Sequence, residues 1–127
     1  MKVFVYGTLK KGFGNHYLLS NSKLLGDSYT KQAYDLYNLG YYPAMTDNGN
    51  YIIKGELYEV NEDTLYRLDM LEGEGYLYLR KKIKVYCNEA LENCFTYIIK
   101  SKPQRYKSIE PTPCINTGLA NFTKSWE

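Results

Sequence analysis

Histidine occurs only once in this chain, at His16. One histidine offers no basis for assembling a Ser/His/Asp or Cys/His catalytic set, and its distance from the cysteines argues against a zinc site. Cysteine is scarce as well: Cys87, Cys94 and Cys114 form an odd set with no C-x-x-C. Cys87 and Cys94 are spaced to meet across a hairpin, but the pattern reads as reduced thiols rather than a disulfide framework. No apolar run reaches the roughly 18 residues of a membrane span. The Met1–Val5 stretch is too short for the core of a signal peptide, and no small-residue cleavage site follows it. These absences predict a cytoplasmic protein with no membrane association.

Charge of one sign is missing too. Sixteen Lys and Arg against fourteen Asp and Glu leave a net charge of +2. That is too little to argue for nucleic acid. Basic residues gather at Arg80-Lys81-Lys82 and between Lys100 and Lys107, but acids are spread nearby. A G-x-x-x-x-G-K-[ST] phosphate loop is absent. What the chain has in excess is tyrosine, fifteen in 127 residues. Tyrosine favours strands and pocket edges, where its ring is buried and its hydroxyl stays satisfied.

The length suits one domain over 1–127. "KVFVYG" (2–7) is a nearly continuous apolar strand, the pattern of a central position. Residues 9–20 read as loop with a short helix, for which Asn15 is a candidate N-cap. The stretch from Lys23 to Leu39 is strand-like, and "TDNGN" (46–50) signals a hairpin through Asn48-Gly49. "YIIKGELYEV" (51–60) is a strand. The best helix follows, with Asn61 as cap, Val60 stapled to Leu65, an apolar face of Leu65, Leu68 and Leu71, and Gly73 as its stop. "YLYLRKKIKVYC" (76–87) and "CFTYIIK" (94–100) form a hairpin around a turn at 88–93. From about Ser101 the chain reads as a coil-rich tail, with room for one short helix. About six strands and one good helix point to an α+β fold, a twisted mixed sheet or a small barrel with peripheral helices, rather than a doubly wound one.

Glu72 sits at the carboxyl end of that helix, beside the negative end of the dipole, with Asp69 three residues back and Glu74 two ahead. Each of these neighbours favours a protonated carboxyl, and a pKa tuned upward suits a general acid/base. Tyr6-Gly7-Thr8-Leu9 ends a strand on a glycine, where successive backbone amides can meet an anion. His16 reads as a local hydrogen-bonding residue rather than a base.

The segments "VFVYGTLKKGFGNH" (3–16), "YPA" (42–44), "GELYEV" (55–60), "LDMLEG" (68–73) and "YLR" (78–80), in that order, resemble the γ-glutamyl cyclotransferase-like superfamily, in particular its γ-glutamylamine cyclotransferase branch. The resemblance covers residues 3–100. It implies a small mixed barrel with one pocket, and a reaction in which the α-amine of a γ-glutamyl amine attacks its own γ-carbonyl to release 5-oxoproline and a free amine. By the same resemblance, Glu72 is the catalytic acid/base. Tyr6, Gly7, Thr8 and Leu9 bind the γ-glutamyl moiety. Tyr42 and Pro43 belong to a pocket-lining loop, and Tyr78 and Arg80 match the tyrosine and the basic residue near the pocket. The implied partner is a small-molecule γ-glutamyl amine or amide. No metal, no cofactor and no nucleic acid is implied; the oligomeric state is left open, with a monomer slightly favoured. The alternative is a catalytically silent protein of the same fold that binds γ-glutamyl compounds.

Overall fold

The structure is a computed structural model and describes residues 1–40, 42–73, 78–99, 112–113 and 122–126. Its first strand, β1 (Lys2–Val5), is apolar on both sides because both sides are covered. Phe4 faces one cluster, with Leu36, Ile53, Leu57 and Val85. Val3 and Val5 face the other, with Leu19, Tyr58, Leu65 and Leu68. Seven further strands follow among the described residues: β2 (Lys23–Thr30), β3 (Tyr34–Asn38), β4 (Pro43–Glu59), β5 (Leu79–Cys87), β6 (Ala90–Ile98), β7 (Thr112–Pro113) and β8 (Phe122–Lys124). A single 3₁₀ turn (His16–Leu19) and one helix, α1 (Glu62–Glu72), complete them.

Strands β1, β6, β5, β2 and β4 lie in that order, and β1 pairs back with β4. The pairing closes a five-stranded barrel. It is mixed because β1 runs parallel to β6, with Val3 opposite Phe95, and antiparallel to β4, from Lys2↔Glu59 to Val5↔Glu56. Closure leaves no free edge within this ring. The expected small mixed barrel is therefore the observed architecture, with the first cluster filling its interior and α1 and the 3₁₀ turn covering the second outside it.

Several local expectations change. The strand-like stretch from Lys23 to Leu39 is two strands. Asn48-Gly49 does not reverse the chain: β4 continues through it, and the β3–β4 register jumps from Asp35↔Thr46 to Tyr34↔Tyr51. Asn48 takes φ 63° in this bulge, and a Cβ on Gly49 would lie 2.0 Å from the Tyr34 carbonyl carbon. The Asn-Gly pair thus serves a close backbone approach inside one long strand.

The turn between β5 and β6 shrinks from six residues to two, Asn88 and Glu89, both at positive φ as a two-residue hairpin requires. In that register Cys87 opposes Ala90 and Cys94 opposes Ile83, so the two cysteines do not face each other; both are free and buried. Cys114 lies outside the described residues. Of the tail from Ser101, expected as coil-rich, the described residues include two short strands: β8 pairs in parallel with Ile52 and Ile53 of β4 and antiparallel with β7. Lys124 is fully buried there, ion-paired to Asp35 with its ammonium 4.1 Å from the Tyr51 ring centre.

Helix α1 begins and ends as its sequence dictates. The Asn61 side chain accepts a hydrogen bond from the Thr64 amide at 2.8 Å. Gly73 adopts the left-handed conformation (φ 61°) and donates to the carbonyls of Asp69 and Met70. Val60, Leu65 and Leu68 are buried in the outer cluster, whereas Leu71 is 40 % exposed. The last turn therefore leaves the core, and it carries Leu71 and Glu72 to the rim of a cavity.

Candidate active site

That cavity, about 320 Å³, opens where β1 runs off the barrel. Its lower wall is Tyr6-Gly7-Thr8-Leu9. The Gly7 carbonyl accepts from the Lys10 amide at 3.0 Å, closing a tight turn with Thr8 and Leu9 at its centre. The Thr8 carbonyl accepts from the Asn15 amide at 3.0 Å, and Thr8 Oγ1 accepts from Asn15 Nδ2 at 2.9 Å. Asn15 does not cap the 3₁₀ turn with its side chain, as expected from sequence; it ties the turn down from behind and lines the cavity itself. His16 is likewise structural, with Nδ1 3.0 Å from the Leu9 carbonyl oxygen. The carbonyls of this turn are thus engaged, while none of the described residues accepts a hydrogen bond from the amides of Gly7, Thr8 or Leu9. Gly7 and Thr8 are half-buried and Leu9 is buried, and all three line the cavity, so its wall carries amides left open by the described residues.

Gly7 has to be glycine for a second reason. A Cβ there would stand 2.8 Å from Cγ and Cδ of Pro43, whose ring rests against the backbone. Pro43 is in turn fixed by Tyr78, whose hydroxyl donates to the Pro43 carbonyl at 2.9 Å. Tyr6 bridges the walls: its hydroxyl donates to the Tyr97 carbonyl at 2.6 Å and accepts from the Met45 amide at 3.1 Å. Burial pushes the hydroxyls of Tyr6, Tyr78 and Tyr97 far up from their ordinary range, so all three stay neutral.

Glu72 closes the cavity from the end of α1 and is the one carboxyl side chain among its described lining residues. Burial pushes its pKa up to about 7. The direction agrees with the expectation from sequence, and among the described residues the cause is desolvation rather than a charged neighbour. Asp69 is occupied elsewhere, accepting from Arg80 Nη1 at 2.6 Å and from the Tyr97 hydroxyl at 2.6 Å. Glu74 lies outside the described residues.

Tyr6, Gly7, Thr8, Leu9, Tyr42, Pro43, Glu72 and Tyr78 all line the cavity. Arg80, matched by resemblance to the basic residue near the pocket, is not among the described lining residues: its guanidinium reaches Asp69 and lies 5.0 Å from the Phe95 ring centre. Phe4, Val5, Asn15, Leu71 and Tyr97 line the cavity without having been singled out in the sequence. For Asn15 the signal was present and pointed to another role. For Tyr97 it lies in pairing, since β5 and β6 place it directly opposite Arg80.

A closed mixed barrel with one flanking helix and a carboxyl in its cavity defines the γ-glutamyl cyclotransferase-like class of folds. An AIG2-like protein from mouse shares this architecture with a TM-score of 0.79 over 99 % of this chain and 87 % of its own, at 24 % identity, a likeness of fold alone. A protein of Pyrococcus horikoshii superposes with a TM-score of 0.66 at 33 % identity, covering 86 % of this chain and 85 % of that one. Residues 3–114 match the family model described as gamma-glutamyl cyclotransferase, AIG2-like, and the chain belongs to this family. Its curated relatives include a putative gamma-glutamylcyclotransferase of Vibrio cholerae, 48 % identical over 65 % of this chain and 70 % of the relative. Another, from Methanocaldococcus jannaschii, is 45 % identical over 71 % of this chain and 76 % of its own length.

Proposed function

We propose that the chain is a cyclotransferase that releases 5-oxoproline and a free amine from a γ-glutamyl amine, with Glu72 as general acid/base. The observation that carries this reading is one cavity holding both a carboxyl with a pKa of about 7 and a row of open backbone amides. The glutamyl α-carboxylate is assigned to the amides of Gly7, Thr8 and Leu9, where charge-assisted hydrogen bonds replace its water. The α-ammonium then faces Glu72, about half of which is ionised at neutral pH.

Glu72 takes one proton from the ammonium. The freed amine attacks the γ-carbonyl, a C–N bond closes the five-membered ring, and the bond to the leaving nitrogen breaks. The same carboxyl returns its proton to that nitrogen as the bond breaks, and the second proton shed by the ring nitrogen passes to the departing amine, which leaves as its ammonium, so the enzyme ends as it began. Because nucleophile and electrophile belong to one molecule, orientation can supply about 7–11 kcal/mol of the barrier. Proton transfer through a matched carboxyl adds roughly 10²–10⁴-fold. The tyrosine hydroxyls, held neutral and each donating to a backbone carbonyl or to Asp69, shape the walls without competing for the proton.

The test is 5-oxoproline release from a panel of γ-glutamyl amines by the wild type and by Glu72→Gln, with binding followed by calorimetry. Turnover by the wild type that Glu72→Gln loses supports the reading. Tight binding without release by the wild type would instead identify a silent binding protein.

A further inference from the structure

Two strands on one edge of β4 run toward each other. Strand β2 takes the opposite edge, up to Tyr29↔Lys54. The remaining edge carries β1, antiparallel and ending at Val5↔Glu56, and β8, parallel and ending with Lys124 opposite Ile53. The carboxyl ends of β1 and β8 therefore converge. Strand β1 runs on into the Tyr6–Leu9 turn, and β8 runs on to Trp126. The two are joined there. The Lys10 ammonium donates to the Trp126 carbonyl, and the amide of the same lysine closes the turn on the Gly7 carbonyl at 3.0 Å. The next amide, that of Lys11, donates to Glu56 Oε1 at 2.8 Å.

The place of Trp126 is set by Lys124, whose buried ammonium pairs with Asp35 and lies 4.1 Å from the Tyr51 ring centre. Side chains alternate along a strand, so a one-residue slip of β8 would turn this ammonium to the opposite face and away from Asp35. The same slip would move the Trp126 carbonyl by about 3.3 Å, out of reach of Lys10. This segment lies beyond residue 114, where the family match ends. We propose that Lys10 and Lys124 are positioning residues for the substrate turn: Lys124 fixes the register of β8, and Lys10 fastens the turn to the end of that strand. The carboxyl-terminal segment thereby sets the affinity for the glutamyl α-carboxylate. The inference rests on the assignment of that carboxylate to the Gly7, Thr8 and Leu9 amides in the reading above.

The experiment measures kcat and KM for 5-oxoproline release from γ-L-glutamylmethylamide by the full chain. Lys10→Met is expected to raise KM roughly 3–10-fold, the worth of one hydrogen bond, with kcat unchanged. Lys10→Arg keeps a charged donor and should restore most of the affinity. Lys124→Met, carried with Asp35→Asn so that no lone charge is buried, should raise KM to a similar degree. Adding Lys10→Met to that pair should cost nothing more, because both act through one strap. A fall in kcat at constant KM, a Lys10→Arg variant no better than Lys10→Met, or KM losses that multiply in the combined variant overturns the inference. Amide hydrogen exchange supplies a readout that needs no substrate. The Lys10 and Asn15 amides, which donate to the carbonyls of Gly7 and Thr8, should exchange several-fold faster in Lys10→Met and in the Lys124 variant, while the Leu65 amide of α1 keeps its rate. Unchanged rates at Lys10 and Asn15, or equal acceleration at all three, overturn it. If the wild type releases no 5-oxoproline, the cyclotransferase reading fails, and the exchange rates alone decide whether the strap positions the turn.

Discussion

Asp69 and Glu72 lie one helical turn apart on α1, yet they live in opposite surroundings. Asp69 has a full set of partners, Arg80 on one oxygen and the Tyr97 hydroxyl on the other. Glu72 has none among the described residues, and burial lifts its pKa to about 7. A carboxylate that is paired is structural: it holds a wall in place and keeps its charge. One that is desolvated and unpaired gives and takes protons near neutrality. Three residues of helix separate the two roles, so the distinction comes from what the barrel packs against each side chain.

Exchanging the lone carboxyl for an amide should break the comparison most completely. Glu72→Gln keeps the shape but cannot carry a proton, and kcat is expected to fall by 10²-fold or more with KM little changed. In the wild type, the limb of the kcat–pH profile governed by this base should have its midpoint near pH 7, where Glu72 titrates; the variant should lack it.

The opposite wall is probed next. Thr8 follows the carbonyl of the turn closed by Gly7 and Lys10, a position where proline is well tolerated. Thr8→Pro therefore removes one amide with limited damage to the turn and is expected to raise KM roughly 10–100-fold, the worth of a hydrogen bond to a charged group. Thr8→Ala loses only the oxygen bound by Asn15 and should act several-fold more mildly. Equal losses in the two variants would shift anion binding from the backbone to the hydroxyl.

Stability offers a third test that needs no substrate. Because the folded pKa of Glu72 lies above its ordinary value of 4.5, the folded state holds its proton more tightly than the unfolded one. The stability this gives is complete below pH 4.5 and is lost as pH rises through about 7. Glu72→Gln is free of the loss. Its melting temperature should exceed that of the wild type at pH 8, by an amount equivalent to about 1–3 kcal/mol, and the gap should close by pH 4.5. A gap independent of pH would mean that Glu72 is not desolvated.

The smallest effect is expected from stripping Asp69 of its cation. Arg80→Met should cost about 1–2 kcal/mol of stability and move the activity midpoint of Glu72 upward, since the charge of Asp69 is then no longer offset. Adding Asp69→Asn should restore the midpoint. A direct role for Arg80 in holding substrate would appear instead as a raised KM that the second substitution does not repair.

Where local chemistry decides, the sequence was legible. The Asn61 cap, the Gly73 stop and the apolar β1 each follow from neighbouring residues, and the motif segments placed Glu72 and the Tyr6–Leu9 turn beside one cavity wall each. Where pairing across the barrel decides, it was not. Asn48-Gly49 carries the chemistry of a hairpin, and only the approach of the Tyr34 backbone turns it into a bulge. Arg80 and Tyr97 are seventeen positions apart in the chain but directly opposed in the β5–β6 ladder. That register converts a basic residue near a pocket into a brace for Asp69. The raised pKa of Glu72 was anticipated from local charges, whereas the depth of its burial is set by the distant strands that build the cavity.

The seam between β1 and β6 has a consequence for how the molecule comes into being. Val3 stands opposite Phe95, and the Thr96 hydroxyl donates to the Phe4 carbonyl 92 positions away. Contacts so remote in the chain carry a large loop-closure cost and form late. A strand made some 92 positions before its partner must wait, with one side uncovered, until the β5–β6 hairpin has emerged. Yet the turn that follows this strand supplies one wall of the cavity. On the ribosome, the Tyr6–Leu9 segment is therefore made well before it is enclosed, so a nascent chain halted before β6 would display its most distinctive motif with no cavity around it.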